Sequence, residues 1–185
     1  MKIEPELASD ADAIRALHAA AFPTAGEARL VDRLRGSGRL LVSLVARDAD
    51  TGRVVGHVAF SPVRAGDGGL GDAGVGVGLA PVAVHVEHRR RGVAERLVRN
   101  GLELCRQRGY GFAVVLGEPE YYRRFGFVPA ARFGLVDEYG GGDAFQALEL
   151  RAGAMPAGAG PVRYADEFAE LDAVDADAPT QDRAR

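Results

Sequence analysis

Three neighbouring segments of the sequence predict an α/β fold, in which helices alternate with the strands of one mixed sheet. Residues 78–86 are apolar except for His85, which is typical of a strand at the centre of a sheet. Residues 93–108 place apolar or small side chains at helical spacing, and residues 110–117 form a second strand of the buried type. The order strand, helix, strand is typical of such layered folds.

The N-terminal part of the chain is predicted to hold one short strand and two helices. Residues 2–5 form the strand. Ser9 or Asp10 can cap a helix that runs through about Phe22, because small and apolar residues recur there every three or four positions. The same spacing predicts a second helix over residues 26–36.

Two further strands are predicted to follow, over residues 39–47 and 53–63, with a turn at residues 48–52 between them. The glycine-rich residues 64–78 interrupt the pattern. We interpret them as a long loop between the third and fourth strands, with the strand pattern resuming near Val75.

The C-terminal part is predicted to contain the last two strands. One follows Val128 and the other covers residues 144–150, with a turn at Gly140 that pairs them as a hairpin. Residues 151–161 are rich in Gly, Ala and Pro, which is typical of a surface linker. Two aromatic side chains beyond it can pack back onto the core, namely Tyr164 and Phe168.

The domain organisation follows from these elements. With 185 residues, one domain is the default and the core can be sizeable. We expect a single domain over residues 1–150, an extension over 151–172 that packs on it, and a disordered tail over 173–185.

Composition indicates a globular protein of the cytoplasm. Hydrophobic residues make up 47% of the chain and charged residues 26%, and no apolar run reaches the roughly 20 residues of a membrane span. The N-terminus lacks the apolar core of a signal peptide. The single cysteine, Cys105, lies on the apolar stripe of its helix, so we expect it to be packed, and neither a disulfide framework nor a metal site is expected.

The charge is unevenly distributed along the chain. The net charge is −3, so nucleic acid is not an obvious partner. From His85 to Arg108, however, seven arginines stand against three glutamates. A basic patch in an acidic protein suits a small polyanion better than a long one.

The most informative motif lies where the central strand meets the following helix. An apolar strand enters a basic turn, and Arg89-x-x-Gly92-x-Ala94 opens the helix. A helix start offers unpaired N–H groups and a partial positive charge, and phosphate oxygens satisfy both. Gly92 lets the backbone approach such a ligand, and Ala94 keeps the first turn narrow. The motif is neither a Walker loop nor a dinucleotide fingerprint, and an ordinary helix cap is the structural alternative.

A second motif, Tyr-Tyr-x-x-Phe-Gly-Phe over residues 121–127, follows the next strand. Together the two motifs resemble GNAT-type N-acetyltransferases, and in particular a bacterial branch of them. The resemblance implies a mostly antiparallel sheet, flanked by about four helices, whose fourth and fifth strands diverge. It also implies acetyl-CoA as cosubstrate, no metal, and a helical pair covering the acceptor side of the cleft.

The resemblance assigns the coenzyme site to the first motif. Backbone amides of the loop and helix start would bind the pyrophosphate, arginines would add charge, and main-chain groups of the fourth strand would bind the pantetheine arm. An amide near Ala83 or Val84 would stabilise the oxyanion. The predicted cofactor-binding residues are Val82, Ala83, Val84, Arg89, Arg90, Arg91, Gly92, Val93 and Ala94.

Tyr122 is the predicted general acid. It stands four residues before Gly126, which matches the family tyrosine that faces the coenzyme A sulfur, and a phenol with a pKa of about 10 can donate a proton at neutral pH. Tyr121 is its rival. Neighbouring helical positions point about 100° apart, so only one of the two rings can face the sulfur. Alternatively, both rings only pack a short helix.

The predicted general base is Glu118, because it ends the fifth strand, where a carboxylate can reach the cleft directly or through water. His85, His57 and Glu120 are alternatives. The family also tolerates the absence of a dedicated base.

The predicted function is transfer of an acetyl group from acetyl-CoA to a primary amine by direct attack. A non-catalytic module that binds or senses acyl-CoA is the alternative, and a protein-interaction domain is a third. The acceptor is not readable from the sequence, although Glu27, Asp137 or Glu138 could make the cleft acidic and suit a cationic amine. The expected partners are a small-molecule or peptide amine and possible second copies of the chain as a homodimer, but neither nucleic acid nor membrane.

Overall fold

The computed structural model describes residues 1–66, 75–156, 160–169 and 171. Within these residues the chain forms four α-helices and nine strands, joined by turns and short 3₁₀ segments. The helices are α1 (Ala11–Ala21), α2 (Gly26–Gly36), α3 (Val93–Gln107) and α4 (Pro119–Tyr122). The strands are β1 (Lys2–Pro5), β2 (Val42–Arg47), β3 (Val54–Ala65), β4 (Val75–Val84), β5 (Phe112–Leu116), β6 (Val128–Pro129), β7 (Leu135–Asp137), β8 (Phe145–Glu149) and β9 (Gly160–Arg163).

The strands form one mixed sheet in the order β1-β2-β3-β4-β5-β8-β6. Its pairs are antiparallel except for β4 and β5, which run parallel, as do β7 and β9. The connection from β4 to β5 therefore runs through α3, as parallel strands require. The mixed α/β architecture predicted from the sequence is confirmed.

Strands β4 and β5 diverge soon after they meet. Their described pairs are Val77 with Ala113 and Gly78 with Val114, although β4 continues to Val84. Beside the gap, β4 contains a bulge, because its register against β3 shifts by one residue between Leu79 and Val82. A bulge bends its strand and redirects the neighbouring groups, so this edge of β4 is shaped differently from a regular strand.

Helix α3 packs closely against one face of the sheet. Leu97 and Val98 are fully buried, and a Cβ on Gly101 would come within 2.3 Å of the Phe60 ring. Gly101 therefore permits the close approach of helix and strand. Cys105 is also buried in this interface, and burial raises the pKa of its thiol to about 12, so it packs as a small apolar residue.

Helices α1 and α2 pack on the sheet through their own apolar stripes, with Ile14 and Val31 in one buried cluster. Helix α2 occupies residues 26–36, as predicted. Asp10 stands at the N-cap of α1, but its carboxylate accepts hydrogen bonds from the Leu7 amide and the Arg47 guanidinium instead of capping the helix.

Two sequence expectations about the strands are wrong. The fourth strand was expected over residues 78–86, but β4 ends at Val84 because the chain turns into a 3₁₀ segment there. The last two strands were expected to pair as a hairpin. Instead β8 pairs with β5 and β6, while β7 pairs with β9, which itself pairs with β3.

The C-terminal segment contributes to the core in the described residues. Strand β9 begins inside the predicted surface linker, and Val162 and Phe168 are buried. Tyr164 packs against Phe168 and Tyr139, with ring centroids 5.2 and 5.5 Å apart. The tail predicted to be disordered, residues 173–185, lies outside the described residues, as does part of the glycine-rich loop at 67–74.

Candidate active site

The loop between β4 and α3 has an unusual backbone. Arg90 and Gly92 both have positive φ angles, of 57° and 73°, and α3 begins directly afterwards at Val93. A Cβ on Gly92 would meet nothing within 4 Å. The left-handed conformation, and not a lack of space, is therefore what favours glycine at this position.

The start of α3 is open to a ligand. No side chain caps it, so first-turn amides lack the partners that a capping residue would supply. Arg89, Arg90 and Arg91 are exposed beside it, and the Arg89 guanidinium donates a 3.2 Å hydrogen bond to the carbonyl oxygen of Val84. This contact joins the arginine loop to the end of β4. Unpaired amides, the helix dipole and three arginines together make this surface suitable for an anion.

A cavity of about 410 Å³ lies beside the bulged part of β4, where this strand diverges from β5. Its walls come from both strands, from the α1–α2 region and from the C-terminal segment. The lining residues are Phe22, Thr24, Glu27, Leu30, Leu79, Ala80, Pro81, Val82, Leu116, Tyr122, Tyr139, Tyr164, Phe168 and Leu171.

Tyr122 is the α4 side chain that lines this cavity. Its ring packs against Phe127, with centroids 5.8 Å apart, and a Cβ on Gly117 would lie 2.5 Å from the same ring. Gly117 therefore leaves the room that the tyrosine occupies. Burial, with a smaller contribution from Tyr121, raises the pKa of Tyr122 to about 12, so the phenol remains protonated at neutral pH.

Tyr121, the rival acid, is not among the lining residues. The Arg124 guanidinium lies over its ring, 4.5 Å from the centroid, and the ring also contacts Phe125. Two neighbouring tyrosines thus have different surroundings: Tyr122 lines the cavity and Tyr121 packs against an arginine.

The two predicted acidic bases of this region are exposed. Glu118 precedes α4 at its N-cap position, and its side chain is not part of the cavity lining. Glu120 forms a 3.1 Å ion pair with Arg123, in which both side chains are 73% exposed. Neither Glu118 nor Glu120 therefore lies where it would directly contact a ligand in the cavity. The role of Glu118 as the general base stays a prediction.

The two histidine alternatives lie elsewhere. His57 is fully buried in β3 and hydrogen-bonded to His18 and Ser43 at 2.8 Å each. His85 lines a separate, smaller cavity of about 200 Å³ that also includes Asp48. Neither imidazole lines the cavity that contains Tyr122.

Of the three acidic residues that could face the cleft, Glu27 is the one in the lining. Its Oε2 atom is buried and makes no hydrogen bond within the described part of the chain. Asp137 instead accepts a hydrogen bond from the Gly141 amide, and Glu138 accepts one from the Tyr164 amide. The sequence contained a signal for Glu27, since it lies on the stripe of α2 that buries Leu30, Val31 and Leu34.

Sequence reasoning missed the wall formed by the C-terminal segment. Tyr164, Phe168 and Leu171 all line the cavity, and Tyr139 joins them. The Tyr164 hydroxyl is buried without a hydrogen-bond partner among the described residues, and burial raises its pKa above the ordinary value. No local pattern predicts that these residues line the same cavity as Leu79 and Leu116, because the segments are distant in the sequence.

Neither a membrane-spanning helix nor a metal site is found in the described ranges. No helix there is long and apolar enough to cross a bilayer. No group of three or more His, Cys, Asp or Glu side chains there could hold a metal ion.

The diverging parallel strands, the arginine loop before the uncapped α3 and the cavity beside them define an acyl-CoA N-acyltransferase fold. A family model described as an acetyltransferase (GNAT) domain matches residues 3–130. The chain therefore belongs to the GNAT family of acetyltransferases.

Relatives named N-acetyltransferases cover most of the chain. The chain is 41% identical over 169 residues to the uncharacterized N-acetyltransferase YhbS of Escherichia coli K12, covering 91% of this chain and 98% of that protein. It is 42% identical to YjhQ of the same strain over 125 residues, or 66% of this chain and 67% of YjhQ.

Two solved structures agree with this assignment. The crystal structure of YhbS from Escherichia coli in complex with CoA has a TM-score of 0.84 and 40% identity, covering 91% of each chain. A GNAT family acetyltransferase from Brucella melitensis in complex with acetyl-CoA has a TM-score of 0.73 and 34% identity, covering 90% of this chain and 97% of the other.

Proposed function

We propose that this protein transfers an acetyl group from acetyl-CoA to a primary amine by direct attack within a ternary complex. The observation that carries the proposal is the position of Tyr122 in the lining of a cavity formed where β4 and β5 diverge. The relatives crystallised with CoA and acetyl-CoA support the choice of donor.

The loop before α3 fits the pyrophosphate of the coenzyme. The left-handed Gly92 and the uncapped helix start favour backbone approach and amide donation, and Arg89, Arg90 and Arg91 supply positive charge. The amides of residues 90–94 would bind the phosphates. The main-chain groups of Val82, Ala83 and Val84 would then hold the pantetheine arm along β4.

Val82 is the β4 residue that we propose as the oxyanion donor. Its amide follows the bulge, and Val82 lines the cavity, whereas Ala83 and Val84 do not. Pro81 has no N–H, so it is excluded as a donor. A fixed backbone donor of this kind typically contributes about 3 kcal/mol to the stability of the transition state.

The chemical step requires two proton movements. The amine nitrogen forms a bond with the carbonyl carbon, the carbon–sulfur bond breaks, and the leaving thiolate takes the proton of the Tyr122 hydroxyl. Tyr122 can supply this proton because its phenol is protonated at neutral pH. The attacking nitrogen loses its own proton to a base or to water.

Glu118 is the predicted base. Because its carboxylate is exposed and outside the cavity lining, it would act through water. Loss of this carboxylate would change the rate little, since solvent can accept the proton in its place.

The experiment compares Tyr122→Phe with Tyr121→Phe, a matched removal of one hydroxyl from the next residue. With acetyl-CoA and a panel of primary amines, thiol release by Tyr122→Phe should show a kcat at least about 100-fold below wild type. Tyr121→Phe should keep kcat within about 3-fold, because its ring is outside the cavity.

Thermal unfolding with acetyl-CoA is the accompanying measurement, and both variants should retain the ligand-induced shift. Unchanged turnover in Tyr122→Phe would contradict the assignment of the acid. A wild-type protein that is stabilised by acetyl-CoA but acetylates no amine would instead favour the non-catalytic binding module.

A further inference from the structure

The cavity beside β4 contains a negative charge that nothing in the described structure neutralises. Glu27 Oε2 is buried without a hydrogen bond, and the carboxylate forms no ion pair with any described residue. No Lys, Arg or His is found among the lining residues of the part of the chain that the structure describes. A half-buried carboxylate whose Oε2 atom is buried and unpartnered favours a cationic ligand.

A second oxygen atom in the lining is also buried without a hydrogen-bond partner. The Tyr164 hydroxyl is buried and unpartnered within the described residues. Both it and the Glu27 carboxylate can accept a hydrogen bond from an N–H group. An ammonium group has three such donors and no acceptor, so it suits a site that offers two acceptors and a negative charge.

The rest of the lining is largely apolar and rich in aromatic rings. Rings favour apolar and aromatic partners, and their faces also attract cations. The ring-bearing lining residues are Phe22, Tyr122, Tyr139, Tyr164 and Phe168. A ligand with a carboxylate would find no cation among the described lining residues and would be repelled by Glu27.

We propose that this cavity binds a small primary amine with an aromatic body and no carboxylate, and that Glu27 binds its ammonium group, which loses one proton to solvent to give the free amine that attacks. The inference rests on the proposed function, since the cavity must then hold the acetyl acceptor. Glu27 thereby determines the acceptor class: arylalkylamines are accepted and amino acids are excluded.

An alternative explanation of Glu27 concerns stability alone. It stands in the first turn of α2, where a carboxylate interacts favourably with the helix dipole. Asp12 has the same position in α1, but its side chain is 93% exposed and pairs with Arg15. Asp12→Asn is therefore the matched control for Glu27→Gln.

The experiment measures kcat/KM at saturating acetyl-CoA for 2-phenylethylamine and for phenylalanine, which differ by one carboxylate. Wild type and Asp12→Asn should prefer 2-phenylethylamine by at least about 30-fold, a ratio within the range for a buried charged hydrogen bond. Glu27→Gln should lower kcat/KM for 2-phenylethylamine by about 30-fold, mainly through KM, with the KM for acetyl-CoA unchanged.

A charge-specific readout separates binding from a structural role. In Glu27→Gln the preference between the two substrates should shrink to below about 5-fold, because the carboxylate of phenylalanine is no longer repelled. Calorimetry with CoA-loaded protein should show at least about 10-fold weaker binding of 2-phenylethylamine to Glu27→Gln than to Asp12→Asn.

Failure of the inference and failure of the proposed function give different results. If wild type acetylates spermidine or amino acids but not 2-phenylethylamine, or if Glu27→Gln keeps the wild-type preference, the inference alone is wrong. If wild type binds acetyl-CoA yet acetylates neither these amines nor Nα-acetyl-lysine, the proposed function fails and the inference falls with it.

Discussion

Glu6 and Glu27 are both partly buried carboxylates, yet their surroundings are opposite. Glu6 accepts hydrogen bonds from Arg35 at 2.8 and 3.1 Å and from Ser43 at 2.5 Å. Burial alone would raise the pKa of Glu6, but the His57 imidazole 3.6 Å away and the hydrogen bonds from Arg35 and Ser43 lower it well below its ordinary value. Glu27 has no such partner in the described structure.

The Glu6 carboxylate is the end of a hydrogen-bonded chain of polar groups, in which the donor of each bond can be assigned. Ser43 donates to Glu6, so its oxygen accepts from Nε2 of His57 at 2.8 Å. Burial lowers the pKa of both His18 and His57, so both imidazoles are neutral in the folded protein at neutral pH. With Nε2 of a neutral His57 donating to Ser43, its Nδ1 accepts from Nε2 of His18, also at 2.8 Å.

The comparison teaches how to separate stabilising polar groups from functional ones. Buried polar groups that have partners fix the packing of β2, β3, α1 and α2, and removing a partner costs stability. Buried polar groups without partners cost stability in the free protein, so their presence in a cavity indicates a ligand. The following experiments test this separation.

The largest expected effect is the loss of stability on acidification. Burial, with smaller contributions from the neighbouring His57 imidazole and the Arg35 charge, lowers the pKa of His18 from 6.5 to about 3. The unfolded chain therefore binds a proton between pH 6.5 and about 3 that the folded chain does not, and stability falls as the pH decreases through this range. From pH 7 to pH 5, His18 alone should reduce the free energy of unfolding by about 2 kcal/mol.

Chemical denaturation at the two pH values measures this loss. His57 shifts in the same direction, because burial also lowers its pKa. The variant His18→Gln should show a smaller pH dependence than wild type. A free energy of unfolding that is constant between pH 7 and pH 5 would contradict the neutral histidine chain.

A smaller effect is expected from two glycines with the same backbone angle. Gly38, which follows α2, and Gly92 both have φ of 73°, and a Cβ would meet nothing within 4 Å at either. Alanine at either position should cost about 1 kcal/mol of stability, because it disfavours the left-handed region. Gly92→Ala alone should also raise the KM for acetyl-CoA, by about 5- to 10-fold.

Steady-state kinetics and denaturation on the same preparations test this pair. Equal KM values for acetyl-CoA in Gly38→Ala and Gly92→Ala would show that the loop before α3 is an ordinary helix start.

The smallest effect is expected for Glu118→Gln. Since the carboxylate is exposed and outside the cavity lining, kcat should change by less than about 3-fold. A decrease of 100-fold or more, measured with 2-phenylethylamine at saturating acetyl-CoA, would instead make Glu118 a direct base and place the acceptor nearer to α4.

Local sequence patterns predicted the parts of the molecule that depend on neighbouring residues. The helical spacing of residues 26–36 and 93–108 and the turn around Gly92 are such patterns, and α2, α3 and the left-handed glycine agree with them. The preference for Tyr122 over Tyr121 as the acid came from the resemblance to the family motif, and Tyr122 is the ring in the cavity lining.

Contacts between distant segments account for what the sequence did not predict. The pairing of β7 with β9 replaces the expected hairpin, and it joins residues more than 20 positions apart. His18 and His57 meet across 39 positions. The position of Glu27 could be predicted only in part. The sequence places it on the buried stripe of α2, but it does not predict the cavity that this residue lines.

The most direct test measures the free energy of unfolding and kcat/KM for 2-phenylethylamine in both Glu6→Gln and Glu27→Gln. Glu6→Gln should lose about 2 kcal/mol of stability, because Arg35 loses its charged partner, and should keep kcat/KM within about 2-fold. Glu27→Gln should lose less than about 1 kcal/mol while kcat/KM falls by about 30-fold. If Glu27→Gln is as destabilised as Glu6→Gln and still acetylates the amine at the wild-type rate, Glu27 is a structural residue and the account is wrong.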